Sequence, residues 1–133
     1  MRIDGGCHCG NITYEAEVDP AMVSICHCTD CQTLTGSPYR VTVPAHKDNF
    51  RLTGGKPKLY RKTAESGAGR IQAFCPECGT PIYATTDEAD PKLFGIRVGT
   101  ARQRAELTPK KQGWCRSAMP WSGNIESLPN ATV

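Results

Sequence analysis

The placement of the cysteines constrains this chain more than any other feature. Seven of the eight fall into three short clusters: Cys7-His8-Cys9, Cys26-His27-Cys28-Thr29-Asp30-Cys31 and Cys75-Pro76-Glu77-Cys78. The eighth, Cys115, follows Trp114 on its own. Disulfide frameworks seldom place cysteines two apart, because adjacent side chains at that spacing diverge. A tight turn, by contrast, aims two sulfurs two or three residues apart at a single metal ion. No apolar leader follows Met1 to Gly6, and no apolar run approaches the ~18 residues that span a bilayer. The expected setting is the reducing cytoplasm, without membrane partners, where cysteines serve as ligands rather than bridges.

Metal would also supply what the composition lacks. A chain of 133 residues offers one core. With 13 glycines, 10 prolines and 7% aromatics, that core needs a staple. The formal charge of +3 is too small to argue for nucleic acid. Seven thiolates around two Zn²⁺ ions would bring it to zero.

The apolar pattern has period two. Ile12, Tyr14, Ala16 and Val18 alternate with Thr13, Glu15 and Glu17, which is the pattern of a half-buried strand. A short run, Val23 to Ile25, leads into the second cluster. Tyr39 to Val43 alternates again and is expected to stop at Pro44. Further strands are expected at 50–52, 59–62, 70–74, 81–84 and 93–98, separated by Gly54-Gly55, Gly67 to Gly69, Cys78-Gly79 and Asp90-Pro91. One helical turn is expected from Thr29 to Leu34, capped by Thr29 or Asp30. The pattern predicts an all-β fold of small sheets in a single domain over residues 1–133, with a fraying tail from Ser127 to Val133.

Zn²⁺ prefers four tetrahedral ligands, all from protein in structural sites and three in catalytic ones. Seven clustered cysteines divide naturally as four plus three. Cys7, Cys9, Cys75 and Cys78 could form a closed site, leaving Cys26, Cys28 and Cys31 around a second ion with one open position. Spacing equally permits Cys115 as the fourth ligand of the second site, or a pairing of the Cys7 cluster with the Cys26 cluster.

The sequence resembles the family of glutathione-dependent formaldehyde-activating enzymes, which includes centromere protein V. The resemblance rests on Gly6-Cys7-His8-Cys9-Gly10 with Tyr14, on Cys26 to Gln32 continuing through Thr35-Gly36-Ser37, on Phe74 to Tyr83, and on Trp114 through Pro120-Trp121. It runs from about residue 5 to 121. It implies an Mss4-like fold and supports the four-plus-three division. Cys7, Cys9, Cys75 and Cys78 match structural zinc ligands, and Cys26, Cys28 and Cys31 match a catalytic zinc site. The implied activity is that of a carbon–sulfur lyase joining glutathione to formaldehyde as S-(hydroxymethyl)glutathione. The chain is shorter than the members known for that reaction, which leaves the thiol partner open.

A thiol of pKa near ~8.5 is only about 3% thiolate at pH 7, and coordination to zinc removes the proton. A three-thiolate zinc is a poor Lewis acid, suited to thiol chemistry rather than to water activation. Gln32, Thr35, Ser37 and His27 are the candidate substrate contacts, with His27 also the better general acid–base candidate. Lys56, Lys58, Arg61, Lys62 and Arg70 could steer an anionic thiol. Cys115 is expected to be buried against Trp114 and Trp121. The alternative to catalysis is a zinc-stabilised binding module with both metals structural.

Overall fold

The computed structural model describes residues 1–131; Thr132 and Val133, the end of the expected fraying tail, lie outside them. In chain order the elements are β1 (Arg2–Gly6), β2 (Thr13–Glu17), β3 (Ser24–Cys26), α1 (Thr29–Thr35), β4 (Arg40–His46), β5 (Phe50–Gly54), β6 (Lys58–Thr63), β7 (Gly69–Phe74), β8 (Pro81–Thr86), β9 (Leu93–Arg97) and β10 (Lys111–Gly113). They form a three-stranded sheet, β1-β2-β5, and a seven-stranded sheet, β10-β3-β4-β9-β8-β7-β6. Neighbours are antiparallel except β10, which lies parallel to β3. The fold is all-β, with one short helix. No helix among the described residues is long and apolar enough to cross a membrane.

One hydrophobic cluster spans both sheets. Ile3, Ile12 and Tyr14 of the small sheet and its flanks meet Val43, Ile82 and Ile96 of the large one. Phe50 stacks on Phe94 at 5.1 Å and meets Tyr83 edge-on at 5.3 Å, closing one side of the interface. Alternation explains the layering. On β4, Val43 and Ala45 enter the core, while Arg40 and Thr42 lie on the opposite face, in register with Cys26 and Arg97. That second face of the large sheet carries one of the cysteine clusters.

Two strands escape the sequence pattern. β1 reads Arg-Ile-Asp-Gly-Gly, with one apolar residue to signal it. It forms by pairing with β2 along its whole length, and Gly5 is needed because a Cβ there would stand 2.1 Å from the Thr100 carbonyl oxygen. β10 reads Lys-Gln-Gly and owes its existence to pairing with β3. β4 also runs on through Pro44 to His46, where a stop was expected. β3 pairs only with Arg40 to Thr42, so at Pro44 the strand has β9 on one side and no ladder to break on the other.

Candidate metal centres

Two groups of cysteines converge. Cys7, Cys9, Cys75 and Cys78 bring their sulfurs within 4.8 Å of one another, and so do Cys26, Cys28 and Cys31.

The four-cysteine group is built from two knuckles. Cys7 directly follows β1 in the β1–β2 hairpin, and Gly10, at φ 84°, turns its chain. Cys75 directly follows β7, and Gly79, at φ 80°, turns the chain into β8. The Gly10 and Gly79 N–H groups donate to the carbonyls of Cys7 and Cys75 at 3.2 and 2.9 Å. Ile12 N–H donates to Cys7 Sγ at 3.1 Å and Glu77 N–H to Cys75 Sγ at 3.4 Å. Backbone donors aimed at sulfur favour thiolates. Adjacent sulfurs stand 3.6 Å (Cys7–Cys9) and 3.8 Å (Cys9–Cys75) apart. Zn–S bonds of about 2.3 Å in a tetrahedron give edges of about 3.8 Å, so one ion fits the group. The Thr80 hydroxyl and backbone pull Cys78 down to about 5. An Asn11 backbone hydrogen bond lowers Cys9, yet burial and the three neighbouring sulfurs outweigh it and push Cys9 up to about 12.

The three-cysteine group is local. Cys26 ends β3, and Cys28 caps α1, its sulfur accepting from Cys31 N–H at 3.3 Å. The cap is therefore the cysteine itself, not the expected Thr29 or Asp30, and capping aims the Cys28 sulfur at the group. Cys31 is pulled down to about 5, first by a hydrogen bond with Cys26; burial opposes this, and the adjacent Arg40 guanidinium assists. The same hydrogen bond, together with burial, pushes Cys26 up. Among the described residues no fourth Cys, His, Asp or Glu joins the trio. A cleft of about 730 Å³ opens beside it, lined by Cys28 and Asp30 together with Lys62, Arg70 and Trp114. Asp30 and Lys62 pair at 2.6 Å across its floor.

The candidate contact residues are placed as follows. His27 is buried, with Nε2 2.8 Å from Gln112 Oε1 and its ring edge-on to Tyr39. Gln32 spends both amide hydrogens on the carbonyls of His27 and Ser117, each at 2.8 Å, tying α1 to the C-terminal segment. Thr35 donates to the Cys31 carbonyl at 2.6 Å. Ser37 is exposed just beyond the helix. Of the basic residues, Lys62 and Arg70 reach the cleft. Arg61 pairs with Asp87. Cys115 corrects an expectation: it is exposed, on a turn that Trp114 enters at φ 56°, and it joins neither group. Trp114 and Trp121 are themselves 40% and 56% exposed, so they form no pocket to bury it.

Two arginines were missing from the sequence reading. Arg40 is 4% exposed, and its Nε and Nη2 have no hydrogen-bond partner. A buried cation with idle donors beside sulfur fits a cluster held as thiolates around metal. Arg97 donates to Thr42 at 2.9 Å and to Gln72 at 2.7 Å, with its Nε enclosed and unpartnered. The available signal was the phase of β4, where Arg40 and Thr42 alternate with Val41 and Val43; that polar face reads as solvent unless α1 is known to cover it.

Comparison with known proteins agrees with this geometry. A crystal structure of a Rhodobacter sphaeroides protein superimposes with a TM-score of 0.64 at 21% identity, covering 82% of this chain and 98% of that one. This likeness supports the all-β, Mss4-like architecture. An uncharacterized lyase of Schizosaccharomyces pombe is 29% identical over 89 residues, which is 66% of this chain and 61% of the relative's own length. The family model for glutathione-dependent formaldehyde-activating enzymes matches residues 2–117, nearly the whole described chain, and the chain belongs to that family.

Proposed function

We propose that the chain is a zinc-dependent carbon–sulfur lyase-type enzyme, one folding unit over residues 1–133, that joins a small thiol to an aldehyde. Glutathione and formaldehyde are the prototype pair. The observation that carries this reading is the contrast in ligand number: four sulfurs in one group, three in the other, with a cleft beside the three. On this reading Cys7, Cys9, Cys75 and Cys78 hold a structural zinc, and Cys26, Cys28 and Cys31 hold the reactive one.

A zinc ion on the trio would supply deprotonation of the incoming thiol. The chain's own residues do the rest. Cys28 and Cys31, fixed by the α1 cap, orient the reacting centre toward the cleft. Arg70, on the cleft lining, draws anionic groups of the thiol into the cleft, while Lys62 is paired with Asp30. The balance needs no oxidant: the sulfur lone pair forms the C–S bond, the carbonyl π pair moves to oxygen, and that oxygen takes the proton the thiol gave up. Holding the two reactants side by side replaces a bimolecular encounter with an oriented one.

The test is exchange NMR on glutathione plus formaldehyde, with zinc quantified in the same sample. Faster interconversion that disappears with the second zinc supports the reading. No acceleration with both zincs present would overturn it for this pair of substrates and favour a binding module.

A further inference from the structure

The three-cysteine group stands next to more positive charge than a self-contained metal site needs. In register across the large sheet, Cys26 faces Arg40 and Thr42 faces Arg97. Both arginines therefore belong to the face that carries the trio, one at the Cys26 register and the other two positions along. On that face Arg97 donates to Thr42 at 2.9 Å and to Gln72 at 2.7 Å. Of the other charges at the cleft, Lys62 pairs with Asp30 at 2.6 Å and Glu65 with Arg116 at 2.9 Å, and Arg70 adds a further positive charge.

Three thiolates and one divalent ion carry a net −1. Arg40 brings the enclosed cluster to zero, and Arg97 takes it to +1. A neutral fourth ligand leaves that excess in place, whereas an anion cancels it. Uncompensated charge in a poorly solvated site is costly, so the surroundings discriminate between the two kinds of ligand. The idle donors of Arg40 point to the same conclusion. The Arg40 guanidinium meets the Cys31 sulfur and leaves Nε and Nη2 unpartnered, so the charge of the cluster is what compensates its burial.

We propose that Arg40, backed by Arg97, is a positioning residue that makes the three-cysteine centre select an anionic fourth ligand, a thiolate or similarly soft anion, over a neutral one. The proposal rests on the metal-site reading above and adds the class of ligand the site takes.

The test uses the full chain loaded with Co²⁺, whose visible bands report the ligand set without any turnover. Thiocyanate is the anionic probe and imidazole the neutral one; the four-cysteine centre, closed by protein, serves as the unresponsive internal reference. In Arg40→Gln the Kd for thiocyanate should rise about tenfold relative to that for imidazole, and Arg40→Lys should restore most of the difference. Arg97→Gln, farther from the sulfurs, should give the same shift at smaller size and stands in if Arg40→Gln misfolds. Equal weakening of both probes, or no change in their ratio, overturns the proposal. Uptake of a single Co²⁺ by the unmodified protein would instead overturn the metal-site reading on which it stands.

Discussion

The two cysteine groups solve opposite problems with the same side chain. The four-cysteine group draws on two hairpin turns, one from each sheet, with Cys9 and Cys75 separated by 66 positions. Its sulfurs take hydrogen bonds from backbone N–H groups, and its chain reversals use glycines at positive φ. The three-cysteine group lies within six consecutive residues, on one strand end and one helix cap, and charged side chains surround it. A ligand set gathered from distant segments closes a long loop and stabilises the fold. A local set closes almost nothing, so it can leave a coordination position for a substrate at little cost in stability.

The sharpest way to break this contrast is Cys75→Ser. Loss of one sulfur from the long-range set should unfold the protein, seen as collapse of amide dispersion in NMR spectra. Cys28→Ser should leave the fold intact and remove about one equivalent of zinc by elemental analysis. Serine is itself a preferred N-cap, so its hydroxyl should accept from Cys31 N–H in place of the sulfur and leave α1 capped, with little change in Tm. Similar behaviour of the two variants would erase the distinction. A chelator titration sharpens it further: one equivalent should leave with circular dichroism unchanged, and the second only as structure is lost.

An effect confined to alkaline pH separates both centres from the core. Burial pushes Tyr14 up to about 12, against a lesser lowering by its 2.8 Å bond to Thr100. Its folded value lies above the unfolded one near 10, so its contribution is complete below pH 10 and is lost as pH rises toward 12. Stability should fall by on the order of 2 kcal/mol across that window, and Tyr14→Phe should flatten the decline. Denaturant melts at stepped pH would show both.

What could be read in advance follows from how each feature is encoded. Alternation is local, so the strands at Thr13–Glu17, Arg40–Val43 and Arg70–Phe74 were legible from their own residues. Cysteine spacing is also local: it marked three clusters and permitted the four-plus-three division among others, and the family resemblance favoured it. β1 and β10 were not legible, because a Gly-Gly strand end and a Lys-Gln-Gly strand exist only through their partners. Arg40 and Arg97 were hidden for the same reason: their juxtaposition with Cys26 is a matter of register between strands that are distant in sequence. Gln32 looked like a substrate contact on spacing, yet its amide is committed to two carbonyls, one of them 85 positions away.

The wide separation of the knuckles sets an order of events during synthesis. As the chain leaves the ribosome, Cys26, Cys28 and Cys31 are all present well before Cys75 and Cys78 emerge to join Cys7 and Cys9. The first ion to arrive therefore meets a complete trio and only half of the quartet. On the two-metal proposal, the group with the open position would load first and the group that joins the two sheets last.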